Sequence, residues 1–100
     1  MNFLSIEYFA AVASEHSFSK AAKRLGITQQ TLSANIAALE RELGCTLFVR
    51  HVPLELTYAG TVFARYAQRF RRDRDALGQE MRDIAGDQAG VGHRAAHVHR

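Results

Sequence analysis

Apolar residues recur at helical spacing near the start of the chain, where Ile6, Phe9, Val12 and Ala13 share one face and predict a packed first helix. A second helix is expected to open at Ser17 or Ser19, whose side-chain oxygen can serve the free amides of the first turn. It buries Ala21, Ala22 and Leu25 before Gly26 stops it. Ile27 fills the gap between helices, and Thr28 is the expected cap of a third helix. There Leu32, Ile36, Leu39 and Leu43 fall at spacings of four, three and four. The other face of this third helix is polar at its start, with Gln29, Gln30, Thr31, Ser33 and Asn35. Two helices crossing at roughly 90 to 120° after a tight turn need small residues at the crossing, which Ala21 and Ala22 supply. Ser17 to Gly44 therefore has the outline of a helix-turn-helix, with amides and hydroxyls available for base edges and phosphates.

After Gly44 the period changes. Leu47 to Arg50 and Leu54 to Thr57 are short β-prone stretches separated by His51, Val52 and Pro53, which predicts a two-stranded wing. Thr57 is placed to cap a last long helix, from Tyr58 to about Ala85. Along it Phe63, Phe70, Leu77 and Ile84 recur every seven residues, with Tyr66, Ala67 and Met81 beside them, the seam of a helix that packs on another helix. At 1.5 Å per residue this element spans roughly 42 Å, too long to cover its stripe on a small domain, so a second chain is expected. Asp73 and Glu80 interrupt the seam, and Gly78 costs about 1 kcal/mol relative to Ala. The expected organisation is a mainly α winged helix-turn-helix at 1–57, a linker and dimerisation helix at 58–86, and a disordered tail at 87–100.

The chain has 100 residues, 47% of them hydrophobic, enough for one small domain plus an extension. The single cysteine excludes an internal disulfide and suits a reducing cytosol. The first residues lack the basic leader of a signal peptide, and no run approaches the roughly 20 apolar residues of a membrane span. Net charge is +3, but its distribution is uneven. Up to Thr57, Lys20, Lys23, Arg24, Arg41 and Arg50 are balanced by Glu7, Glu15, Glu40, Glu42 and Glu55; the excess comes entirely from arginines further on. Local placement therefore matters more than bulk charge. Lys20, Lys23 and Arg24 cluster on the second helix, while Glu40 and Glu42 lie at the far end of the third.

Tyr8 and Phe9, Ser17 to Ser19, Ala21 and Ala22, Gln29, Leu39 and Glu40, Leu43 and Gly44, Leu47 to Arg50, and Leu56 to Gly60 stand in an order that resembles the N-terminal domain of LysR-type bacterial transcriptional regulators. The resemblance runs from Met1 to about Gly86. It implies a DNA-binding regulator, cytoplasmic and on the nucleoid when bound, that pairs as a homodimer through its linker helix. DNA contacts are expected from Ser19, Lys20, Lys23, Thr28, Gln29, Gln30, Thr31, Ser33, Ala34, Asn35, Arg50 and His51. Subunit contacts are expected from Phe63, Tyr66, Phe70, Leu77, Met81 and Ile84. Gln29 is the leading candidate for direct readout, because an amide there can bond adenine in bidentate fashion. Departures from the family pattern are Gln30 in place of a commoner proline, Ala34 where arginine is frequent, and a wing one residue shorter that carries Pro53. An effector-binding domain would begin near the tail, so no small-molecule site is expected in these residues.

Other chemistry is thinly supported. Cys45 has no basic pair or second cysteine beside it and reads as a structural thiol. His93, His97 and His99 have chelating spacings but no carboxylate or thiol after Asp87, and His16 reads as a turn residue, so neither metal nor cofactor is expected. No nucleophile and base pair or phosphate-cradling glycine loop suggests an enzyme. The alternative from another class is an interaction module that forms a heterodimer with a full-length relative through the last helix and does not bind DNA productively.

Overall fold

The computed structural model describes residues 1–90, with side chains through Asp87. Its elements in chain order are α1 (Phe3–Glu15), α2 (Phe18–Leu25), α3 (Gln29–Leu43), β1 (Phe48–Val49), β2 (Glu55–Leu56) and α4 (Tyr58–Gly90). Each helix start has a local cause. Asn2 Oδ1 accepts the Ser5 amide at 2.9 Å, Ser17 Oγ accepts that of Lys20 at 3.1 Å, and Thr28 Oγ1 accepts that of Thr31 at 3.0 Å. Ser17, not Ser19, is thus the cap of α2. The ends are equally local: Gly26 and Gly44 take the left-handed conformation at φ 70° and 76°, and His16 does the same at φ 54° after α1. For histidine that conformation costs about 1 kcal/mol.

The chain divides into two compact units, Met1–Arg69 and Phe70 onward. In the first, Phe9, Val12, Leu32, Ile36, Leu39 and Leu47 are fully buried where α1, α2 and α3 meet the wing. Phe9 is the hub: its ring centroid lies 5.3 Å from that of Phe48 and 4.8 Å, edge-on, from that of Phe63. The strands pair antiparallel, Phe48 opposite Leu56 and Val49 opposite Glu55, and the turn between them contains a cis Val52–Pro53 peptide.

The boundary expected at Thr57 falls instead within α4, whose residues up to Arg69 belong to the first unit. Packing explains the difference. Ala67 is 3% exposed, and Ala59, Phe63 and Ala64 lie against the same core. Thr57 joins strand to helix with every polar atom engaged. Its amide donates to Leu47 O at 3.0 Å, its hydroxyl donates to Thr46 O at 2.7 Å and accepts from the Gly60 amide at 2.9 Å, and its carbonyl accepts the Thr61 amide at 2.9 Å. Gly60 is required by close approach, since a Cβ there would stand 2.1 Å from Leu47 O.

In the second unit Phe70, Leu77, Met81 and Ile84 are between 47% and 56% exposed. Polar pairs line the same helix: Gln79 Nε2 donates to Asp83 at 3.0 Å and Arg82 donates to Gln79 at 3.2 Å. The helix continues to Gly90, past the end expected near Gly86. Gly86 keeps a helical φ, so it weakens α4 without stopping it. The rest of the expected tail lies outside the described residues.

Candidate nucleic-acid interface

At the start of α3 the chain presents a polar surface of its own making. Thr28, Gln29, Gln30 and Ser33 line a shallow open depression, with both glutamines exposed and Ser33 half-buried. Not every polar group there is available. The Thr28 hydroxyl accepts the Thr31 amide and donates to Thr31 Oγ1 at 2.8 Å, so these two hydroxyls close the helix end on each other. Free amides therefore remain at Gln29 and Gln30, the positions a groove-facing surface needs. Ala34 is exposed beside them. Asn35, an expected DNA contact on the polar face, is half-buried, and its Oδ1 is buried without a hydrogen-bond partner among the described residues. Its position next to Ile36 at the edge of the buried stripe turns that oxygen inward.

On α2, Ser19, Lys20 and Lys23 are exposed, and neither lysine has an ion-pair partner among the described residues. Because Ser17 takes the capping role, the Ser19 hydroxyl is left over. Arg24, in the same cluster by sequence, is engaged with α1: it donates to Glu15 at 3.1 Å and to Ser14 at 3.4 Å. The acids at the far end of α3 are engaged too. Glu42 pairs with the Met1 amino group, and Glu40 accepts both the Leu47 amide at 2.7 Å and Arg50 at 3.2 Å. His51 is exposed in the wing turn, its amide donating to Val49 O at 3.0 Å.

Arg50, an expected DNA contact, is not left loose at the surface. Instead its guanidinium lies over the Phe18 ring, 4.6 Å from the centroid, while paired with Glu40. Phe18 and Glu40 are the residues that reading by local spacing missed. The only trace in the sequence is the recurrence of both inside the family motif, since contacts over ten and thirty-two positions leave no periodic signal. Of the six expected subunit contacts, Phe63 is half-buried against the core of its own chain, its ring edge-on to that of Phe9. Tyr66, in the first unit, is 52% exposed with Arg69 over its ring at 5.1 Å. Phe70, Leu77, Met81 and Ile84 remain exposed in the second.

Cys45 is a free, exposed thiol. Among the described residues no group of three His, Cys, Asp or Glu side chains could hold a metal, and His93, His97 and His99 lie outside them. No helix among the described residues is long and apolar enough to cross a membrane.

Comparison with known proteins agrees with this geometry. The chain is 47% identical over 70 residues to the HTH-type transcriptional regulator ClcR of Pseudomonas putida, which covers 69% of this chain and 24% of ClcR. It is 43% identical over 86 residues to BudR of Klebsiella aerogenes, an HTH-type transcriptional regulator, covering 85% of this chain and 60% of BudR. It therefore spans less than two thirds of the length of either relative. Among solved structures, the protein of the BenM_DBD/benA site 1 DNA complex superposes with a TM-score of 0.84 at 37% identity, over 93% of this chain and 100% of that one. The model of the bacterial regulatory helix-turn-helix proteins of the lysR family matches residues 3–61. The chain belongs to that family.

Proposed function

We propose that this chain is a sequence-specific DNA-binding transcriptional regulator of LysR type that acts as a dimer. The observation that carries the reading is the pair of exposed amides, Gln29 and Gln30, at the open start of α3, together with the exposed Lys20 and Lys23 of α2, which have no ion-pair partner among the described residues. In this reading α3 enters the major groove, Gln29 and Gln30 bond base edges, and Ser19, Lys20, Lys23 and Ser33 set register on phosphates. The likeness to the protein of a DNA complex supports it. A homodimer presents two reading helices to a site with two-fold symmetry, and α4 pairs through the apolar positions Tyr66, Phe70, Leu77, Met81 and Ile84 that its own chain leaves half exposed.

Selection from a random duplex library, run beside sizing across concentration, tests this. A two-fold-related motif recovered by a dimeric protein supports the reading. Enrichment of nothing by a protein that is still dimeric would move the function to α4 and to a heterodimer with a longer relative. Gln29→Ala is expected to relax preference at one half-site position, by about 1 to 3 kcal/mol of lost discrimination, with little change in affinity for arbitrary duplex. An unchanged preference across a panel of site variants removes Gln29 from the readers.

A further inference from the structure

Arg50 directly follows β1, yet contacts from two helices, α2 and α3, fix it. One guanidinium nitrogen donates to Glu40 Oε1 at 3.2 Å, from α3. One face of the group covers the ring of Phe18, the first residue of α2. That ring packs edge-on against Phe48 of β1, with centroids 5.7 Å apart. The carboxylate is itself held, because its other oxygen takes the Leu47 amide at 2.7 Å. The two partners differ in access: the Glu40 side chain is 13% exposed and that of Arg50 46%. The acid is thus tucked under the wing while the far edge of the guanidinium faces water.

We propose that Glu40 is a positioning residue for DNA binding, which holds Arg50 against Phe18 so that its remaining N–H groups meet a backbone phosphate. The inference rests on the DNA-binding reading above. A guanidinium has five donors in a fixed plane, and the contact with Glu40 occupies one edge while the ring occupies one face. The other edge keeps its donors. An arginine beside a wing is ordinarily mobile and loses rotamer freedom on binding, whereas here the bond to Glu40 and the Phe18 ring already restrict it in the folded chain. Glu40 also opposes Arg50 electrostatically. This screening acts equally on distant phosphates, but a contact phosphate is bonded through directed N–H groups, and there orientation outweighs the weakened field.

The experiment is binding of the full chain to a fluorescent duplex of arbitrary sequence over a range of salt concentrations. Arg50→Ala is expected to reduce the slope of log K against log salt by about 0.9, the loss of one phosphate contact. Glu40→Gln keeps an oxygen for the Leu47 amide but releases Arg50. It is expected to weaken binding about threefold or more at low salt, and to have no further effect in the Arg50→Ala background. Phe18→Leu, which leaves both bonds of Glu40 in place, is expected to act like Glu40→Gln. If circular dichroism shows Glu40→Gln to have lost helix, Phe18→Leu decides by the same criteria. Binding by Glu40→Gln as tight as or tighter than wild type makes Glu40 a screen and overturns the proposal. So does an unchanged slope in Arg50→Ala, or additive losses in the double variant. Wild-type binding with an unmoved Glu40→Gln refutes this inference alone; a wild-type chain that binds no duplex removes the DNA reading as well.

Discussion

Phe63 and Phe70 occupy the same row of the same helix, seven residues apart, and have opposite fates. Phe63 meets the ring of Phe9 at 4.8 Å inside the first unit, while Phe70 opens the second unit 47% exposed. The same contrast separates Ala67, nearly inaccessible, from Leu77, 56% exposed. A heptad row therefore records only that one face of a helix seeks apolar cover. Whether that cover comes from the same chain depends on what else folds within reach, and the first unit supplies it only as far as Ala67. The remainder of α4 keeps its apolar positions uncovered, the condition in which pairing with another chain is most favourable.

The contrast can be broken by truncating one leucine on each side. Leu32→Ala empties a fully buried site and is expected to cost about 3 kcal/mol, lowering the melting temperature of the first unit by roughly 10 to 20 °C in a calorimetric scan. Gly60→Ala comes next. Its Cβ would fall on the Leu47 carbonyl, and forcing α4 off the strand is expected to cost about 2 kcal/mol in urea unfolding. A neutral Gly60→Ala would mean that the first turn of α4 is not tied to the wing. Leu77→Ser is expected to leave the melting temperature of the dilute chain unchanged and to weaken self-association about thirtyfold in sedimentation, since each of two copies loses roughly 1 kcal/mol of burial. A lowered melting temperature in the dilute chain would show Leu77 to be covered from within. The smallest effect belongs to His16→Gly, which removes the left-handed strain after α1 and should stabilise the first unit by about 0.5 kcal/mol in the same urea series.

What the sequence revealed and what it hid divide by range. Thr28, Gly26 and Gly44 act on amides and carbonyls within five residues, so their roles were legible from composition and spacing alone. The buried stripe Leu32, Ile36 and Leu39 was legible for the same reason, and so was the polar patch at Gln29 and Gln30 opposite it. Ser17 and Ser19 were equivalent as strings and differ only because the helix starts at Phe18. Long-range contacts left no such trace. Glu40 stands by spacing only at the far end of α3, and its bonds to Leu47 and Arg50 exist only because the wing folds back over that helix. Phe63 was read from its heptad as an interface residue, and nothing in that period reports the ring of Phe9 fifty-four positions earlier.

Thr57 is the last residue of the wing and the cap of α4 at once, with no spare backbone between the two. Length changes in the gene therefore have very different consequences a few codons apart. One residue added between Leu56 and Tyr58 would turn α4 by about 100° and advance it by about 1.5 Å, carrying Phe63 and Ala67 off the core they fill. The same addition at Val52, 98% exposed in the turn, changes only the tip of the wing. A change of length is therefore accommodated at His51–Pro53, where the shape of the tip can vary while the helix that follows keeps its bearing.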